Sequence, residues 1–204
     1  GKVNVAGTST IVAEVTGNGS FYMNGVSLNE GTTLKGANVV FNDVNVIGAA
    51  ITEFNTTTIN GELTVNGDNF KAKTVNNNGI LTINATKATA NNIVMNNAVL
   101  NVNNGAKFTC TVGTGSAAML ATNSEINVEA DATLQLKGSV TLETTEFNIN
   151  GIVDSKAVVV NESVVINMND VNAKLTTVTS TLLNNINTNI PDYKVVYADG
   201  AYTL

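Results

Sequence analysis

The side chains able to carry chemistry in this sequence are few and poorly matched to one another. The protein has 204 residues with ten lysines, no arginine and no histidine. Without histidine it cannot assemble a Ser-His-Asp or Cys-His nucleophile, nor a zinc site of the His and Cys kind. Without arginine it has no bidentate clamp for a carboxylate or phosphate. No Gly-rich segment ends in Lys-Ser or Lys-Thr, so a phosphate cradle of that type is missing. The single cysteine, in Phe108-Thr109-Cys110-Thr111-Val112, cannot form an internal disulfide and reads as a small buried hydrophobe. What remains is carboxylates, amides and phenols. Two carboxylates can hydrolyse a glycoside; Glu143 and Glu146 are close enough in sequence to consider, and read as solvated loop charges. The implied cofactor set is none, with calcium the one ion for which oxygens are on offer, at Asn66-Gly67-Asp68-Asn69 and Asn169-Asp170. Neither segment matches the Gly-Gly-x-Gly-x-Asp calcium roll. Sugar binding fits the inventory better: rows of Asn and Thr give donors and acceptors, and Tyr22, Tyr193, Tyr197 and Tyr202 are the candidate ring platforms.

The composition narrows the framework that must position these groups. Hydrophobic residues make up 43%, aromatic residues 5% and charged residues 13%, with a net charge of −6. That is enough apolar material for a core built from small β-branched residues. Asn and Thr together supply about three residues in ten and must solvate the surface that charges do not. An acidic protein with scattered lysines is a poor partner for nucleic acid or an anionic membrane surface. No apolar run reaches the roughly 20 residues of a membrane span, so no membrane insertion of this segment is expected. No signal peptide is visible in the sequence.

Apolar residues alternate with Asn and Thr at period two, which predicts strands with one buried face. One phrase recurs: apolar, any, apolar, then usually Asn. It begins at Val3, Phe21, Val39, Leu63, Leu81, Leu100, Ile126, Phe147 and Val164. A period near 18–20 residues predicts a solenoid in which each repeat is one coil. The fold class is therefore all-β, a right-handed parallel β-helix with a C-terminal β cap; an antiparallel β-sandwich is the alternative. Leu63, Leu81 and Leu100 should stack inward, as should Val65, Ile83 and Val102. Asn66, Asn84 and Asn103 should form an amide ladder at a corner, and Thr64 and Thr82 an outward row. The long steps from 39 to 63 and from 100 to 126 should be bulging loops, with residues 113–118 in the second. Seven Asn-Gly pairs, beginning at 18, 24, 60, 66, 78, 104 and 150, predict turns with a left-handed backbone.

The ends differ from the middle. Residues 1–180 are predicted to be the solenoid and 181–204 a capping segment, because an open solenoid end exposes unpaired edges. Asp199-Gly200 lies between two β runs and predicts a hairpin.

The phrases Asn60-Gly61-Glu62-Leu63-Thr64-Val65-Asn66-Gly67 and Asn78-Gly79-Ile80-Leu81-Thr82-Ile83-Asn84 resemble repeats of secreted bacterial β-helix proteins. These are the adhesin-like and autotransporter-like surface proteins of Bacteroides-type bacteria, and the segment from Tyr193 to Leu204 resembles their closing segment. The resemblance implies a secreted or cell-surface location and transfers no functional residues, since such families share a scaffold rather than a site. The functional expectation is a non-enzymatic, monomeric stalk or interaction module, with a glycan or a surface protein as partner. The alternative is a carbohydrate-binding or weakly glycoside-processing β-helix.

Overall fold

A computed structural model describes residues 2–14, 19–112 and 117–204. The protein is a parallel β-solenoid of about nine turns with roughly 19-residue spacing. Every strand pairing along the coils is parallel and joins one coil to the next. The sandwich alternative is thereby removed, because its sheets would pair antiparallel.

Three faces wrap one core. The first contains Ser20–Leu28 (in its first half), Asn38–Asn42 and Ala117–Thr122. The second contains Val44–Ile47, Glu62–Val65, Ile80–Ile83, Val99–Val102, Glu125–Val128, Glu146–Ile149 and Val165–Met168. The third contains Thr33–Lys35, Lys107–Cys110 and Lys174–Thr176. Longer strands such as Ile51–Ile59 and Thr133–Glu143 bend from the third face into the first.

Period-two alternation sends every second residue inward, and parallel register stacks like on like. On the second face Leu63, Leu81, Leu100, Ile126, Phe147 and Ile166 form one buried column. Val65, Ile83, Val102, Val128, Ile149 and Met168 form the next, as the repeat predicts. Phe41, Phe54 and Phe70 meet edge-to-face at centroid separations of 6.2 and 6.1 Å, filling the interior between faces. Cys110 is buried beside Ala90 and Leu136, as its apolar flanks suggest; burial pushes its thiol pKa up.

The coil register corrects part of the sequence alignment. Val39 pairs with Thr57, not with Leu63, and Leu63 pairs back to Asn45. The step from 39 to 63 is therefore a change of face and not a loop; Val44–Ile47 and Ile51–Ile59 occupy it. The copy at Val164 is also shifted: Phe147 pairs with Ile166, so Asn167 follows Asn148. The step from 100 to 126 is real. Ala90 pairs with Cys110 but Ile93 with Met119, which places the extra residues between Cys110 and Met119. Of the expected loop, Gly113–Ser116 lie outside the described residues.

Gly25 and Gly105 turn left-handed as expected, at φ 66° and 73°, but four of the Asn-Gly pairs act differently. Gly61, Gly67, Gly79 and Gly151 do not adopt a left-handed backbone. A Cβ on any of them would sit 1.7–2.3 Å from a carbonyl oxygen of the preceding coil. Glycine is required there by close backbone approach. Asp199 and Gly200 do turn left-handed, at φ 51° and 75°, and close the expected hairpin between Val196–Ala198 and Ala201–Thr203.

That hairpin lies across the end of the stack. Ala201–Thr203 pairs antiparallel with Lys174–Thr176, opposite Leu175. Tyr202 extends the third-face column of Leu134, Val153 and Leu175 and is fully buried. The second face continues past residue 180, through Ile186 on Ile166 and Asn187 on Asn167.

Candidate interaction surfaces

The outward positions of the three faces differ in chemistry. On the second face the outward row runs Thr64, Thr82, Asn101, Asn127, Asn148, Asn167. Its amides bond up the stack. Asn101 Nδ2 donates to Thr82 Oγ1 at 3.4 Å, Asn127 to Asn101 Oδ1 at 2.9 Å, Asn148 to Asn127 at 2.9 Å and Asn167 to Asn148 at 2.8 Å. The expected corner ladder is present, with Asn84 donating to Asn66 at 2.8 Å and Asn103 to Asn84 at 2.7 Å. A further ladder at the opposite corner joins Asn24, Asn42, Asn60 and Asn78 at 3.1–3.3 Å. Sequence reading missed it although the signal was an unbroken 18-residue step. In such a ladder each amide is at once donor and acceptor, so the row is self-satisfied along the coil axis.

The third face carries charge. Glu14, Lys35, Glu53 and Lys71 are successive neighbours in register, alternating in sign. Like charges directly opposite one another would oppose pairing and unlike charges favour it, so the row supports the coil register. One outward row of the first face is largely apolar, with Tyr22, Val40, Val94, Leu120 and Val159 interspersed with Thr58, Asn76 and Thr141.

The four tyrosines are not brought together. Tyr22 lies half-buried near the first coils, with Lys2 Nζ 5.6 Å from its ring centroid. Tyr193 is exposed at the far end. Tyr197 packs on Tyr202 at a centroid distance of 4.6 Å, and its hydroxyl donates to the Thr177 carbonyl at 3.1 Å. Tyr202 is a correction to the proposed platforms. It has 0% exposure, its hydroxyl donates to the Thr179 carbonyl at 2.9 Å, and it accepts from the Leu182 N–H at 2.8 Å. A ring used to plug the core presents no face to a ligand. Desolvation pushes its hydroxyl pKa up.

The calcium candidates have spent oxygens on their neighbours. Asp68 accepts from Thr86 Oγ1 at 2.8 Å and from the Lys87 N–H at 3.1 Å, and the Thr86 bond in particular holds its carboxyl below the usual range. Asp170 Oδ1 accepts from the Asn172 N–H at 2.7 Å, and Asn169 Oδ1 from the Asn189 N–H at 3.3 Å. Among the described residues no three His, Cys, Asp or Glu residues come together.

Glu143 and Glu146 are both exposed and flank the left-handed residue Thr144. Glu146 faces Glu125 of the preceding coil in register. Glu125 and Glu146 line a shallow groove of about 480 Å³ with Asn97, Asn123, Thr144 and Val99. Three successive corners build it. Asn97, Asn123 and Thr144 turn left-handed at φ 50°, 49° and 47°, and the next residue of each, Ala98, Ser124 and Thr145, turns into the core. Asn127 Nδ2 holds Glu125 at 2.8 Å and Asn167 Nδ2 holds Glu146 at 3.1 Å, so the amide row fixes the groove's acidic wall.

No protein-family model, no curated protein and no solved structure matches this sequence or fold.

Proposed function

We propose that this protein is a non-enzymatic solenoid module of a secreted or cell-surface bacterial protein, adhesin-like in role, serving as a stalk or an interaction surface. The observation that carries the reading is the amide ladders. The outward polar groups of successive coils bond to one another along the axis, and do not converge on a point where a substrate could be activated. A rod of about nine turns, at about 4.8 Å per coil, spans roughly 45 Å and offers long flat faces instead of a deep cavity.

Glycan binding is the second reading, and the groove beside Glu125 and Glu146 favours it. Its donors and acceptors repeat once per coil, as an extended run of sugar units requires. A glycan array with and without calcium, paired with an assay for new reducing ends on the same polysaccharides, tests both. The proposal predicts no reducing ends in either condition. Cleavage of any polysaccharide would refute it, and reproducible capture of one sugar class without cleavage would select the glycan-binding form.

A further inference from the structure

Asparagine followed by glycine is the sequence most open to spontaneous deamidation, because glycine leaves the backbone free to fold back on the asparagine carboxamide. The chemistry is intramolecular. The deprotonated backbone nitrogen of glycine attacks the asparagine Cγ and a new C–N bond forms. The Cγ–Nδ2 bond breaks, its electron pair leaving on nitrogen, which departs as ammonia. Water then opens the resulting succinimide at either carbonyl, giving aspartate or isoaspartate. The reaction requires a glycine N–H free of any acceptor and a carboxamide free to rotate.

The solenoid denies these requirements at most of the Asn-Gly pairs among the described residues; Asn18, of the first pair, lies outside them. Gly61 and Gly67 donate to carbonyls of the preceding coil, Phe41 and Ile47, each at 3.3 Å, and Gly151 donates to Val128 at 3.2 Å. The Gly79 N–H bonds to Asn77 Oδ1 at 3.2 Å. The carboxamides of Asn60, Asn66 and Asn78 are held in ladders. Asn24 accepts from Asn42 and donates to the Tyr22 carbonyl. Asn104-Gly105 is different. Both residues are exposed, Gly105 turns left-handed at φ 73°, and neither the Asn104 carboxamide nor the Gly105 N–H has a hydrogen-bond partner among the described residues. The tight turn bond from the Ala106 N–H to the Asn103 carbonyl, at 2.8 Å, leaves this pair projecting from the corner.

We infer that, among the Asn-Gly pairs of the described residues, Asn104 is the principal site of spontaneous deamidation and isoaspartate formation, and that the amide ladders protect the neighbouring pairs. Conversion there places a new carboxylate beside the end of the Asn66–Asn84–Asn103 ladder. The test is incubation of the folded protein at mildly alkaline pH and 37 °C, with tryptic peptide mapping over time and enzymatic methylation to count isoaspartate. Cleavage after lysine separates residues 88–107, which hold Asn104, from 36–71, 74–87 and 138–156, which hold the shielded pairs. Asn104 should convert at least about tenfold faster than Asn60, Asn66 or Asn78, since each of those must first break hydrogen bonds. In urea the rates should converge. Asn84→Ala removes the donor to Asn66 and should accelerate Asn66 while leaving Asn60 unchanged. Comparable rates at all pairs in the folded protein would overturn the inference. So would an intact Asn104 over a period in which the urea-unfolded protein converts there.

Discussion

Two buried threonines lie in apolar columns with nothing to bond. Thr57 stacks between Val39 and Val75, Thr52 between Leu34 and Phe70, and neither Oγ1 has a hydrogen-bond partner. Valine has the same shape with a methyl in place of the hydroxyl. A buried hydroxyl without a partner costs about 1–3 kcal/mol. Thr57→Val and Thr52→Val should therefore each stabilise the fold by about 1–2 kcal/mol, raising Tm by roughly 2–8 °C at this length. The assay is urea unfolding followed by far-ultraviolet circular dichroism, where the midpoint should rise at unchanged slope. Thr57→Ser keeps the hydroxyl and loses the methyl, so it should cost about 1 kcal/mol. Asn45, on the same coil, is the contrast. It is also buried, but its Oδ1 accepts from the Val26 N–H at 2.9 Å and its Nδ2 donates to the Asn42 carbonyl. Asn45→Leu strands both backbone groups and should destabilise by about 2 kcal/mol. Lowered midpoints for both valine variants, or a raised one for Asn45→Leu, would refute the reasoning.

The remaining predictions concern single contacts. Val102→Asp puts a charge inside the second-face column and should abolish the folded circular dichroism signal at 25 °C, since an unpaired buried charge costs several kcal/mol. The Asp68 carboxyl titrates below its ordinary value because Thr86 donates to it. Its contribution to stability is thus present above the unfolded carboxylate pKa and lost as pH falls through the folded one; Thr86→Ala should raise the Asp68 pKa seen by NMR titration. Tyr202→Phe leaves the Leu182 N–H and Thr179 carbonyl without their partner and should lower stability by about 1–2 kcal/mol, read by the same urea unfolding. Cys110 should resist thiol reagents in the folded state and react once urea unfolds the protein.

The parts of the fold legible in the sequence were those written by local alternation. Leu63-Thr64-Val65-Asn66 and its successors announce a strand, an inward pair and a corner amide, and all three are found where they were expected. Face identity was not legible, because the first and second faces use the same phrase. The ambiguity became an error on one coil. There the first-face column passes through Thr57 and the second-face column through Asn45. With both apolar positions filled by polar residues, the repeat vanished from both faces at once and the next visible copy belonged to a different face. The role of Gly61, Gly67, Gly79 and Gly151 was misassigned for a related reason: close approach between coils is a long-range contact, while a left-handed turn, as at Gly25 and Gly105, is a local one. Tyr202 looked like a ligand platform because aromatic residues are rare here, yet the end of a stacked column needs one large plug. Of the groove, Glu146 was visible in the sequence, but its pairing with Glu125 depends on which coils adjoin.

Axial position in the solenoid is counted in coils, whatever the number of residues between them. Val44, Glu62, Ile80, Val99, Glu125, Glu146 and Val165 are successive neighbours on one outward row. Spin labels on cysteines at Val44 and Glu125, and at Val44 and Val165, measured by pulsed dipolar spectroscopy, test it directly, with the buried Cys110 replaced by alanine. Four and six coil steps predict separations near about 19 and 29 Å, before label length, at about 4.8 Å per step. The longer coil between Val99 and Glu125 should add no more than any other. Separations far from these values, or a Val165 label no farther from Val44 than the Glu125 label, would contradict the solenoid and everything argued from its ladders.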